Sequence, residues 1–228
     1  MEPLTGSTPP PAPTPAWSAR LAVRRWLAPG TFEIALTRPA AFGFTPGQRI
    51  RLHLEGAARD YSLLSPGHHP HLSLCIRQMA GGPVSTFLAE APLETMLHFD
   101  GPLGYFVWRS SLRPAVFLAT GTGVAPFVAL ARAGVRGFRL AHGVRSADEL
   151  YYAEELQAAA EDYVPCLTAG GDGPPGTFRG RVTDWIEAAL TPGIYDFYLC
   201  GRGEMIRDAT RLIDAGFAGS RVFSETFF

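Results

Sequence analysis

Three short segments carry residue types that could do chemistry together: Arg59-Asp60-Tyr61-Ser62, Gly82-Pro83-Val84-Ser85 and Gly121-Thr122-Gly123-Val124-Ala125-Pro126. An isoalloxazine ring needs an aromatic or apolar face, a hydrogen-bond donor near N5 and positive charge for its phosphates. Tyr61, Ser62 and Arg59 supply one of each, and strand alternation sends Arg59 and Tyr61 to one face and Ser62 to the other. Gly82 to Ser85 sits where a loop would open into a helix, and the free amides and positive end of such a helix suit an anionic phosphate. In the third segment glycines let the backbone approach a pyrophosphate. Pro126 stands in a first helical turn, where no amide donor is needed.

Two later segments add to these. Tyr198-Leu199-Cys200-Gly201 ends an apolar run and is followed by Met205-Ile206. A lone cysteine at a strand end is usually a small buried hydrophobe, so Cys200 takes its interest from context. The chain closes on Ser224-Glu225-Thr226-Phe227-Phe228.

In order and spacing these segments resemble the ferredoxin–NADP reductase superfamily, from about Trp17 to Phe228. The match extends to RDYSLLS through Ser65, to the Gly-x-Ala-Pro ending of the third segment, and to a Y-x-C-G-x-x-x-M-I pattern. The resemblance implies that Arg59 contacts a flavin phosphate, Tyr61 packs on the flavin and Ser62 lies near N5. It also implies that Gly82, Val84 and Ser85 bind phosphate, with Arg77 at the phosphate or adenine end. Gly121, Thr122, Gly123 and Pro126 would take the nicotinamide dinucleotide, and Cys200 and Gly201 would lie against the nicotinamide. Oxygenase-type reductases of the superfamily close on Glu-x-Phe, so Glu225 would stand near Ser62 and Phe227 near the flavin. Ser62, Cys200 and Glu225 are thus the expected reaction centre, with Cys200 shaping geometry and not acting as a nucleophile.

The resemblance implies FAD over FMN, and electron transfer from NADH or NADPH to a ferredoxin, flavodoxin or oxygenase component. A free-flavin reductase and a flavin-holding subunit of a larger redox complex are the alternatives. NADPH-specific relatives carry a Ser/Thr-Arg pair after the third strand of the nucleotide domain, where this chain has Thr168-Ala169. Arg145, Arg179 and Arg181 lie nearby in sequence, and Gly143 to Tyr152 looks most like reductases that use NADH.

The elements that must position these residues divide the chain in two. Residues 20–26, 31–37, 49–54, 61–64 and 71–77 read as strands separated by Pro-Gly or Gly-rich breaks, and a helix follows Pro83. This pattern predicts an antiparallel β-barrel over residues 17–111. From residue 112 to 228 strands at 115–119, 138–144, 164–168, 195–200 and from 221 alternate with helices at 126–133, 147–160, 182–190 and 204–215. That alternation predicts a doubly wound α/β domain with a parallel sheet, its ligands at the carboxyl ends of the strands. The whole is an α+β two-domain chain with a Pro-rich tail, residues 1–16, expected to be disordered.

With 228 residues there is room for two such domains. No apolar run approaches the ~20 residues of a membrane span, and the tail lacks a signal-peptide pattern. Cys75, Cys166 and Cys200 have no metal, cluster or disulfide spacing, so a reduced cytoplasmic setting is expected. His68, His69 and His71 flank Pro70 and read as a solvated turn rather than a metal site. All twenty cationic side chains are arginines, and the net charge of −1 gives nucleic-acid binding no electrostatic support. The first half is mildly basic, nine arginines against six acidic residues between Trp17 and Ser110, which suits an acidic redox partner.

Overall fold

The computed structural model describes residues 15–227, and most of the Pro-rich tail, like Phe228, lies outside them. The turn-punctuated first half forms β1 (Trp17–Ala28), β2 (Thr31–Thr37), β3 (Arg49–Leu54), β4 (Ala57–Ser62), β5 (His71–Arg77) and β6 (Met96–Leu103). They pair antiparallel in the order β4-β3-β6-β1-β2-β5. A bridge between Leu63 and Leu74 joins the two edges and closes the sheet into a barrel. Alternate residues point inward, so Phe32, Ile34 and Leu36 of β2 meet Leu72, Leu74 and Ile76 of β5 in one core. Helix α1 (Pro83–Glu90) adds Val84, Leu88 and Ala89 to that core.

The second half forms a parallel sheet of β7 (Ala115–Thr120), β8 (Arg139–Val144), β9 (Asp162–Leu167), β10 (Phe178–Arg179), β11 (Asp196–Arg202) and β12 (Arg221–Phe227). Its order is β10-β9-β8-β7-β11-β12, so the chain reverses direction across the sheet between β7 and β11. Helices α2 (Ala125–Arg132), α3 (Ala153–Ala159), α4 (Val182–Ala189) and α5 (Gly203–Gly216) cover its faces. β7 is buried on both sides, with Phe117 in one core and Val116 and Leu118 in the other, which explains its uninterrupted apolar run. The core containing Phe117 also takes in Leu64, Cys75 and Phe106 from the first half. The two halves therefore share buried apolar surface.

The structure differs from the sequence reading at several places. The strand expected at 61–64 ends at Ser62, because Leu63 and Leu64 turn to pair with β5. β6 was not anticipated. The helix expected over 147–160 is a single 3-10 turn, Ala147–Glu149, then α3, and between them Tyr152 adopts a left-handed φ of 65°. For a bulky residue that conformation costs on the order of 1–3 kcal/mol. A 3-10 turn, Gly121–Val124, runs directly into α2.

Gly123 has no room for a side chain. A Cβ there would lie 2.7 Å from the Cys200 carbonyl carbon and the Gly201 Cα, both backbone atoms. Gly123→Ala is therefore expected to lower stability by about 1–3 kcal/mol, as overpacked sites do. Gly43→Ala, where nothing lies within 4 Å, should stay within about 0.5 kcal/mol of the parent. Equal urea midpoints for the two variants would contradict the close approach.

Candidate active site

Between the barrel and the carboxyl ends of the parallel strands runs a cleft of about 2030 Å³. Single small-ligand pockets span roughly 300–1,000 Å³, so this one has space for two ligands in contact. One wall carries Arg59, Tyr61 and Ser62 of β4, Arg77 of β5, and Gly82, Val84 and Ser85 at the start of α1. The facing wall carries Gly121 and Thr122 after β7, Arg145 after β8 and Thr168 after β9. Gly201 of β11 and Glu225 and Phe227 of β12 complete it. This is the crevice at the topological switch point where open α/β sheets take their ligands.

The barrel wall fits a flavin. Arg59 is exposed to the cleft and has no acidic partner among the described residues, its Nη1 donating only to the neighbouring Ala58 carbonyl at 2.8 Å. A cation left unpaired in a cleft is a ready seat for phosphate. The first turn of α1 leaves the Val84 and Ser85 amides without intrahelical acceptors. Tyr61 is half-buried on the barrel core, and burial pushes its phenol up to about 12, so it stays neutral.

At the junction of the walls the buried Ser62 hydroxyl donates to Glu225 Oε1 at 2.6 Å, and Arg49 Nη1 donates to Glu225 Oε2 at 2.8 Å. Arg49 also donates to Asp60 at 3.0 Å, and Arg51 forks onto the same carboxylate at 2.6 and 3.0 Å. Burial alone would raise Asp60, but the two guanidiniums outweigh it and hold its carboxyl below the usual range. For Arg49, burial is likewise outweighed by Glu225 and Asp60, and its pKa rises. Arg49 and Asp60 were not singled out from the sequence. The only signal was their place, directly after Pro46-Gly47-Gln48 and inside the Arg59–Ser62 segment.

The nucleotide wall is built by close backbone approach. A Cβ on Gly201 would collide with Thr120 Oγ1, which accepts the Arg202 amide at 3.1 Å, so the ends of β7 and β11 are locked together. The bare turn Gly121–Val124 and the start of α2 then face the cleft as an anion-binding corner. Behind the turn His142 is fully buried, and burial lowers its pKa to about 4. As a neutral ring it donates from Nε2 to the Gly121 carbonyl at 3.3 Å and accepts at Nδ1 from the Tyr163 hydroxyl at 3.0 Å.

Three expected residues lie elsewhere than on the cleft surface. Cys200, Gly123 and Pro126 are buried behind the nucleotide wall, and burial, then the Glu225 carboxylate, hold the Cys200 thiol far above its ordinary pKa. The Ser85 hydroxyl is spent on its own loop, accepting the Met79 amide and donating to the Gly82 carbonyl, both at 3.1 Å. Arg77 sits 3.6 Å from Glu149, which also accepts the Arg145 amide at 3.0 Å. Among the described residues there is no group of three His, Cys, Asp or Glu suited to a metal, and no helix long and apolar enough to cross a membrane.

Fold and cleft together define a two-domain oxidoreductase of the kind that uses a flavin and a nicotinamide dinucleotide. Family models for an oxidoreductase FAD-binding domain and an oxidoreductase NAD-binding domain match residues 29–108 and 117–211. The chain is 34% identical to ferredoxin–NADP reductase B of Sorangium cellulosum, over 83% of this chain and 88% of that protein. It is 30% identical to the toluate 1,2-dioxygenase electron transfer component of Pseudomonas putida, over 92% of this chain and 67% of that one. A cytochrome P450 reductase of Amycolatopsis superposes with a TM-score of 0.81 at 27% identity, covering 92% of this chain and 69% of that one. The chain belongs to the ferredoxin–NADP reductase superfamily, with FAD and a nicotinamide dinucleotide as its cofactors. It spans only 56–63% of the length of several other relatives from oxygenase systems.

His142 gives the nucleotide wall a pH signature. Unfolding releases the ring to its ordinary pKa near 6.5, so below that value the unfolded chain takes up a proton the folded chain refuses. Stability is full above about pH 6.5 and falls as the pH drops toward 4. Between pH 7 and pH 5 this one ring should account for about 2 kcal/mol of lost stability. His142→Gln should therefore flatten the pH dependence of the urea midpoint over that interval, and an unchanged slope would contradict a buried neutral ring.

Proposed function

We propose that the chain passes electrons from NADH or NADPH through FAD to a protein acceptor: a ferredoxin, a flavodoxin or an oxygenase component. The observation that carries this reading is that the flavin-type and nucleotide-type segments line one continuous cleft and meet at the Ser62–Glu225 hydrogen bond. The names of the relatives from Sorangium and Pseudomonas support the acceptor class. When bound, FAD supplies the conversion between a two-electron hydride donor and single-electron carriers.

The chain's own residues bind, orient and exclude water. Arg59 and the Val84 and Ser85 amides hold the flavin phosphates, with Gly82 shaping that turn and Arg77 at its far end. Tyr61 offers its ring face to the flavin, and Phe227 covers the cleft from the end of β12. The turn Gly121-Thr122-Gly123 and the first turn of α2, with Pro126 as its second residue, hold the dinucleotide pyrophosphate. Arg145 and Thr168 meet its adenosine end, and Gly201 leaves the nicotinamide its room. Ser62 donates from Oγ to Glu225, and Arg49 donates to the other oxygen of the same carboxylate, so both side chains are held in place at the junction. Cys200 forms the layer behind this centre, setting its depth without ionising. We divide the chain at Ser111, with the flavin unit over 17–111 and the nucleotide unit over 112–228. A cytoplasmic setting is supported by three free, buried cysteines.

Anaerobic mixing tests the reading. The FAD-loaded protein should be yellow, bleach with NADH or NADPH, and regain colour faster with an oxidised ferredoxin than with free FMN. Faster turnover of free FMN would favour a free-flavin reductase, and a protein that takes up no FAD would overturn the proposal. Arg59→Ala should weaken FAD binding about 10–100-fold, the loss of about 1.5–3 kcal/mol for a hydrogen bond to a charged group. Ser62→Ala should keep its FAD but lose about 100-fold in the rate of bleaching, the order of loss seen when one hydrogen-bonding group positioned at a reaction centre is removed. Unchanged FAD affinity in the first variant, or an unchanged rate in the second, would remove that residue from its role.

A further inference from the structure

The segment joining β8 to α3 reaches across to the barrel with two consecutive tyrosines. The Tyr151 side chain is buried in the core that also takes in Leu64 and Cys75 of the barrel, and the Tyr152 hydroxyl donates to Glu33 Oε2 at 2.9 Å. Arg25, opposite Glu33 in the β1–β2 register, donates to the same carboxylate oxygen at 2.9 Å and holds it from the far side. Successive side chains on an unbroken helix point about 100° apart. The left-handed φ of 65° at Tyr152 instead brings both phenols to the barrel, a conformation that persists only where the surroundings over-determine it.

The same pair meets both ends of α2 and its leading turn. At the start, the Tyr151 hydroxyl stands 3.6 Å from where a Cβ of Gly121 would lie, and its ring meets the His142 ring edge-on at 5.9 Å. At the other end, the Arg132 guanidinium lies 5.6 Å over the Tyr152 ring and forks onto Glu155 at 2.8 and 3.0 Å. Arg132 also reaches the Leu64 carbonyl of the barrel at 3.4 Å.

We propose that Tyr151 and Tyr152 are positioning residues that fix the Gly121–Val124 turn and α2 at a set distance and angle from the barrel, and so set how a nucleotide on that turn approaches a flavin on the barrel. This rests on the reading that the turn holds the donor nucleotide. Misplacing reacting atoms by about 1 Å costs about 100-fold in rate. Loosening the joint therefore shows in the limiting rate and not in the affinity for either cofactor.

Tyr152→Phe keeps the ring over Arg132 and removes only the bond to Glu33. In stopped flow with NADH and with NADPH, the limiting rate of flavin reduction should fall by about tenfold or more. FAD content and the half-saturating nucleotide concentration should stay within about twofold, since no cofactor contact is removed. Glu33→Gln, which keeps an acceptor, should stay near the parent rate. Glu33→Ala should match Tyr152→Phe, and the double variant should be no slower than either single one. Without any turnover, hydrogen exchange should rise in Tyr152→Phe at Gly121–Val124 and α2 and stay unchanged in β7 and β11. An unchanged limiting rate with unchanged exchange would overturn the proposal, as would exchange that rises throughout the protein. If neither nucleotide reduces the parent protein, the functional reading fails, and the exchange comparison alone decides whether the tyrosines hold the turn.

Discussion

A carboxylate taken out of water between two domains has to be paired, and Glu225 sets that demand at the centre of this molecule. It is 5% exposed at the carboxyl end of β12, where its hydrogen-bond partners among the described residues are Ser62 of β4 and Arg49 of β3. β12 is in register with β11, so Glu225 lies beside Cys200 and Thr226 beside Gly201. Satisfying one carboxylate from the barrel thus fixes the nucleotide sheet against the flavin strand. A buried ion pair is weak evidence of stability, and here its consequence is geometric. It brings the serine hydroxyl to the place where both cofactor walls meet.

The apolar joint around it explains why the geometry persists. Phe106, from the chain leaving the barrel, packs edge-on against Phe127 and Tyr198 at 5.8 Å, and Trp108 stacks on Tyr198 at 5.6 Å. Each such pair contributes about 0.5–1.5 kcal/mol beyond its buried area. Domains joined by small polar surfaces move by default, and large hydrophobic joints suppress that motion. A reaction that depends on holding two cofactors in contact gains from the second arrangement.

What was legible in the sequence was local, and what was missed was tertiary. β2, β3 and β5 follow from alternation between turn signals, and β7 from its apolar run. The Arg59–Ser62, Gly82–Ser85 and Gly121–Pro126 segments have types and spacing that speak for themselves, and they line one cleft. β6 was hidden because its alternation, Leu97-His98-Phe99-Asp100, is cut short by Gly101-Pro102, and its partners β1 and β3 lie far away in sequence. The break at Tyr152 was invisible because the contacts that over-determine it come from β2, more than a hundred residues earlier. Arg49 looked like an ordinary strand arginine, since nothing nearby in sequence shows that it ends on Glu225. Cys200 was singled out by resemblance alone, and its full burial beside Glu225 was not legible from the sequence around it.

Donor and acceptor meeting directly across this cleft is the claim on which the rest stands. The most direct measurement is the rate of bleaching of the FAD-loaded protein by a nicotinamide nucleotide carrying deuterium at the transferred C4 position, beside the unlabelled nucleotide. Direct transfer between atoms held in contact by these two walls should slow the reaction severalfold with the label, and the product should keep no deuterium at that position. Equal rates with deuterium retained in the oxidised nucleotide would mean that the two ligands do not react across the Ser62–Glu225 junction, and would contradict direct transfer in this cleft.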